Sequence, residues 1–108
     1  MDRTYDYAKV KRWVDGDTVD AEIDFGFKVT SVQRFRLAKI NTPEKNQPGY
    51  NEATARSNEL APAETPLELT CHGYDRYGRW IATVKNKNTG TIVNDVLLTE
   101  KLAKPYKE

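Results

Sequence analysis

The chain carries one cysteine, one histidine and one methionine in 108 residues. Cys71 alone leaves no partner for an internal disulfide, which is compatible with a reducing cytosol. His72, beside Gly73, reads as a solvated turn residue rather than a catalytic base. No apolar run approaches the length that spans a bilayer. Met1-Asp2-Arg3-Thr4-Tyr5-Asp6 lacks the basic start and apolar stretch of a secretory signal, so a cytoplasmic protein without a membrane partner is expected. A dominant charge is missing too. The 17 Lys and Arg against 16 Asp and Glu give a net charge of +1. Many nucleic-acid binders show a bulk basic excess, and here any phosphate affinity must come from where the charges sit. Repeats, linkers and low-complexity stretches are also absent.

What remains is 38% hydrophobic and 31% charged, the balance of a soluble globular chain, and 1–108 reads as a single domain with a modest core. A first strand is predicted over Tyr5 to Val14. Thr18 to Phe27 alternates, with Val19, Ala21, Ile23 and Phe25 on one face and acids on the other, as a half-buried strand does. A third strand is predicted over Lys28 to Ile40, with Arg34 and Arg36 on the face opposite Phe35 and Leu37. Two like charges side by side there call for an anion. Tyr50 to Ala61 is helical in composition and stops at Pro62. Strands follow over Pro66 to His72 and Tyr77 to Val84, then a helix over Thr91 to Lys104 that ends at Pro105. Three strands, a helix, two strands and a helix is the order of the five-stranded Greek-key OB barrel, with an SH3-like barrel or a small α+β sheet as rivals.

Three stretches invite chemistry. Asp15-Gly16-Asp17-Thr18 is either a hairpin corner or a pair of hard oxygen ligands. Arg34 to Glu44 reads R-F-R-L-A-K-I-N-T-P-E, where Pro43 stiffens the backbone beside Thr42 and Glu44. Tyr74 to Arg79 reads Y-D-R-Y-G-R. Each alone has an ordinary structural explanation. Together and in this order they resemble the staphylococcal nuclease family, over about Lys9 to Lys104.

That resemblance implies a Ca²⁺-dependent hydrolase cutting phosphodiester bonds of DNA and RNA, favouring single strands and leaving 3′-phosphates. It implies Asp17, Asn41 and the Thr42 carbonyl as ligands of one Ca²⁺ ion, with Asp15 acting from the outer shell through water. Arg36 and Arg79 would grip the scissile phosphate, the guanidinium fork suiting two phosphate oxygens. Glu44 would orient or deprotonate the attacking water. Arg76 and Tyr77 resemble contacts to a neighbouring phosphate, and Tyr106 offers a platform for stacking on a base. The alternative is a non-catalytic OB-fold module that binds nucleic acid. A monomer without a disulfide partner is expected.

Two positions depart from the pattern. Asn41 stands where the family usually has Asp, which removes one negative charge and predicts weaker Ca²⁺ binding. Lys39 stands where an apolar core residue is usual. Trp13 and Trp80 read as core or barrel-rim residues.

Overall fold

The computed structural model describes residues 2–107. In chain order its elements are β1 (Arg3–Asp15), β2 (Thr18–Asp24), β3 (Thr30–Leu37), β4 (Ile40–Asn41), α1 (Tyr50–Leu60), β5 (Pro66–Tyr74), β6 (Trp80–Asn86), α2 (Val93–Thr99) and β7 (Lys104–Pro105). Strands β1, β2, β3, β6 and β5 close into a barrel in that order, with every pairing antiparallel except β3 with β6. This mainly β architecture with two helices is consistent with the OB-fold.

Alternation along the strands fills the interior. Val10, Val19, Ala21, Phe35, Leu37, Leu67, Leu69, Ala82 and Val84 are buried on the inward faces, and Leu97 and Val93 of α2 extend the same core. Trp13 is a core residue, and its indole N–H donates to the Ala61 carbonyl at 2.8 Å, which anchors the end of α1 to β1. Outward acids meet outward bases: Asp20 accepts from Arg34 at 2.8 Å, and these charges hold its carboxyl below the usual carboxylate range.

Several boundaries differ from those expected. The third strand is interrupted after Leu37 by a tight turn in which Lys39 has φ 64°, and the chain resumes as β4. Lys39 is therefore an exposed turn residue, which explains how a lysine is tolerated at a position expected to be apolar. The second helix ends at Thr99 rather than Lys104. Lys101 takes a left-handed conformation, and the N–H groups of Leu102 and Ala103 both turn back to the Leu97 carbonyl. This reversal frees Lys104–Pro105 to pair with β4 as the short strand β7. β6 starts at Trp80 rather than Tyr77, because Asp75 folds the preceding residues into a turn. His72 lies in β5 rather than in a turn, with its ring between Asp2 and Thr83.

Candidate functional site

The D-G-D-T stretch is indeed the corner between β1 and β2, and α1 is docked directly on it. Tyr50, Ala53 and Ser57 recur along α1 at spacings of three and four, which places them on one face of the helix. The Tyr50 hydroxyl donates to Asp15 Oδ1 at 2.7 Å, and that carboxylate pushes the Tyr50 phenol above its ordinary range. The buried Ser57 hydroxyl donates to the Gly16 carbonyl at 2.6 Å. A β-carbon on Gly16 would lie 3.0 Å from the Ala53 backbone and 3.1 Å from Thr42 Cγ2, so only glycine lets helix and corner meet this closely.

The corner is also stitched to the N-T-P-E segment. Asp17, 8% exposed, accepts the Thr42 backbone N–H at 3.1 Å through Oδ2 and the Thr18 hydroxyl through Oδ1. Arg36, on β3, is buried despite its charge. Its Nη2 donates to the Asn41 side-chain oxygen at 3.1 Å and lies 4.0 Å from Asp17 Oδ2, while Nη1 donates to the Leu37 carbonyl. The Tyr106 ring sits over this guanidinium, 4.7 Å from its central carbon, a cation–π arrangement. What puts Tyr106 there is the β4–β7 pairing, continued by the Tyr106 N–H to the Lys39 carbonyl at 2.9 Å. Glu44 is exposed, and the Gln47 side chain accepts its backbone N–H at 2.7 Å.

Arg79 approaches from the β5–β6 turn. Asp75 organises that turn: Oδ1 accepts the N–H groups of Tyr77 and Arg79, at 2.8 and 3.0 Å, and Oδ2 accepts Arg79 Nε at 2.8 Å. Burial raises the Asp75 carboxyl, but these N–H groups and the guanidinium outweigh it and hold the carboxyl below its ordinary value. Both Arg79 and Arg76 lie against the exposed Tyr77 ring, at 5.6 and 5.7 Å.

The result is one open cleft of about 290 Å³ shared by Asp15, Asp17, Arg36, Asn41, Thr42, Glu44, Arg79 and Tyr106. Arg76 and Tyr77 do not line it. They line an adjoining cleft of about 320 Å³, which shares Arg36, Arg79 and Tyr106 with the first. Asp75 and Tyr50 were not singled out from sequence, although Asp75 lies inside the Y-D-R-Y-G-R motif. An Asp whose side chain can reach the backbone N–H two residues on favours a turn, and Asp75 stands two residues before Tyr77.

A family model described as staphylococcal nuclease homologue matches residues 34–108. The chain belongs to that family. No curated protein matches it. The staphylococcal nuclease match covers Arg36, the Asn41–Glu44 segment, the 75–79 turn and Tyr106, and it carries nuclease or nucleic-acid-binding function with it. The acidic corner at 15–18 lies outside the matched stretch and joins the site through the contacts to α1 and Thr42. Among the described residues no helix is long and apolar enough to cross a membrane, and Cys71 is a free thiol.

The cleft's donors suit a hard cation. Its lining residues offer oxygens: the carboxylates of Asp15, Asp17 and Glu44, the Asn41 amide and the main chain of Thr42. Asp15, Asp17 and Glu44 share the cleft, but among the described residues no three His, Cys, Asp or Glu side chains are grouped closely enough to hold an ion by themselves, so any ion here would draw on amide, carbonyl and water oxygens as well. Ca²⁺ accepts such a mixed oxygen shell.

Proposed function

We propose that the chain is a divalent-cation-dependent nuclease that hydrolyses phosphodiester bonds of DNA and RNA, favours single strands and leaves 3′-phosphates. One observation carries this reading: a single cleft gathers two guanidinium groups, an exposed glutamate and the acidic corner. Binding alone has no use for a carboxylate beside phosphate. A phosphodiester is anionic and resists water, and enzymes lower such barriers by about 8–23 kcal/mol, more than one side chain supplies.

Arg36 and Arg79 enter the cleft from β3 and from the β5–β6 turn, so a phosphate between them meets positive charge on two sides. The contacts that now occupy Arg36, the Asn41 amide and the Tyr106 ring, also set its direction. Charge that builds on the phosphate oxygens in the transition state strengthens the grip, which is electrostatic catalysis. Glu44 takes a proton from water as its oxygen bonds to phosphorus, general-base work typically worth about 10²–10⁴ in rate. As that bond forms the P–O5′ bond breaks; Arg79 steadies the charge on the departing oxygen, which takes a proton from solvent water and leaves as a 5′-hydroxyl, while Glu44 returns its proton to solvent. Asp17, Asn41 and Thr42 would hold one Ca²⁺ ion, with Asp15 acting through water, and when bound it neutralises phosphate charge.

Asn41, in the position the family usually fills with Asp, favours a second reading, a binding module without catalysis. A labelled single-stranded DNA incubated with Ca²⁺ or with chelator separates the two. Cation-dependent cutting that Glu44→Gln lowers at least 100-fold is the expected outcome. Binding without cutting under any divalent ion refutes the enzyme and supports the module.

A further inference from the structure

A further cleft of about 290 Å³ lies against the barrel strands, lined by residues of β1, β2, β3, β5 and β6. Tyr5, Phe25, Phe35 and Trp80 supply its aromatic walls, and Ser31, Gln33 and Cys71 supply its polar atoms. No charged residue lines it. The walls are ordered by ring contacts. Tyr5 and Phe25 meet edge to face at 6.3 Å, and Tyr74 braces Trp80 with ring centroids 4.3 Å apart. The Trp80 indole N–H donates to the Gln33 side-chain oxygen at 3.3 Å. Phe25 is nonetheless 53% exposed and Trp80 38%, so both rings keep area open to solvent.

We propose that this cleft is a nucleobase subsite for the strand held at the phosphate cleft, a reading that rests on the nuclease function proposed above. Flat rings offer stacking to any base, and the hydroxyl, amide and thiol groups offer partners to base edges. An uncharged lining suits a base and not its phosphates. Position argues the same way. Trp80 directly follows Arg79, and the Tyr74 hydroxyl oxygen lies 3.5 Å from where a Gly78 β-carbon would stand, so the aromatic wall underlies the very turn that carries Arg76, Tyr77 and Arg79. A strand leaving the arginines crosses that turn at the exposed Tyr77 and reaches the cleft on the other side. Single strands alone can make this crossing, because their bases are free to turn out of a stack.

The test follows Trp80 itself. Trp13 is buried, which leaves Trp80 as the solvent-facing indole. A single strand of about 12 nucleotides, within the span of one OB barrel, is titrated in chelator so that nothing is cut. Quenching of indole emission is expected, and a sugar-phosphate strand lacking bases should leave it unchanged. Trp80→Leu and Phe25→Leu each leave an apolar side chain but remove a flat ring, and each should weaken binding of the base-containing strand by about 5- to 150-fold. The baseless strand should bind all three proteins equally. Equal quenching of the wild type by both strands overturns the proposal. So does undiminished binding by both variants, folded by circular dichroism, while the wild type still cuts; the nuclease reading would survive that result. A wild type that neither binds nor cuts any strand overturns the nuclease reading and this inference with it.

Discussion

Replacing Asp75 with Asn tests how the β5–β6 turn aims Arg79. The amide oxygen can still accept the N–H groups of Tyr77 and Arg79, so the turn keeps its backbone bonds. What disappears is the carboxylate that receives Arg79 Nε at 2.8 Å and stands 2.8 Å from its Nη2. A hydrogen bond to a charged group contributes about 1.5–3 kcal/mol when well buried. Here the Asp75 side chain is 15% exposed and that of Arg79 29%, and solvent reduces the contribution to roughly 1 kcal/mol. In a domain of about 100 residues that lowers the melting temperature by about 4–8 °C. Asp75→Ala loses the two backbone bonds as well and should cost roughly 2–3 kcal/mol. The folded Asp75 carboxyl lies below its ordinary value, so the stabilisation is present above the unfolded pKa of about 4 and is lost as pH falls through the folded one. Asp75→Asn should therefore flatten the acid limb of the stability profile. A double-mutant cycle with Arg79→Ala, followed by thermal melts, is expected to give a coupling of about 0.5–1 kcal/mol. Catalytic efficiency should fall about 10- to 100-fold as the guanidinium loses its orientation. A coupling of zero, with an unchanged acid limb, would refute the reasoning.

Asn41→Asp should tighten Ca²⁺ binding by about tenfold in a calorimetric titration, since ligand charge tunes the affinity of such sites. Unchanged or weaker binding would show that the new carboxylate is spent on Arg36, which already bonds to the Asn41 oxygen at 3.1 Å. Gly16→Ala forces a methyl group against Ala53 and Thr42 and should cost about 1–3 kcal/mol in thermal unfolding. A melting temperature equal to that of the wild type would mean that α1 and the corner are not as tightly joined as their contacts imply.

The barrel was legible because its strands alternate cleanly: Val19, Ala21 and Ile23 point inward, and a period of two admits no other reading of them. Arg36, Glu44 and Arg79 were grouped by the resemblance of three motifs, in order, to one family, and the fold brings the three to a common cleft. Sequence reading missed local reversals driven by tertiary contact. Nothing in the helical spacing of Val93 to Leu102 says that the chain turns back after Thr99. Burial of Leu97 and Ala103 and the pairing of β7 with β4 override that spacing. The same reversal decides where Tyr106 sits, with its ring over Arg36. Asp75 has the spacing at which an aspartate caps a turn, and only the closed turn shows that it also receives the Arg79 guanidinium.

The β4–β7 ladder also has a consequence for the order in which the molecule becomes competent. β7 sits at Lys104–Pro105, yet it pairs with Ile40–Asn41, immediately before Thr42 and Glu44. Chains are made from the N-terminus, and pairings between distant segments form slowly. During synthesis the barrel's early hairpins can therefore assemble well before the cleft is complete. A half-made or half-folded molecule would carry its arginines and acids yet lack the β4–β7 pairing that seats Tyr106 over Arg36, so the cleft takes shape only when the last strand has been added.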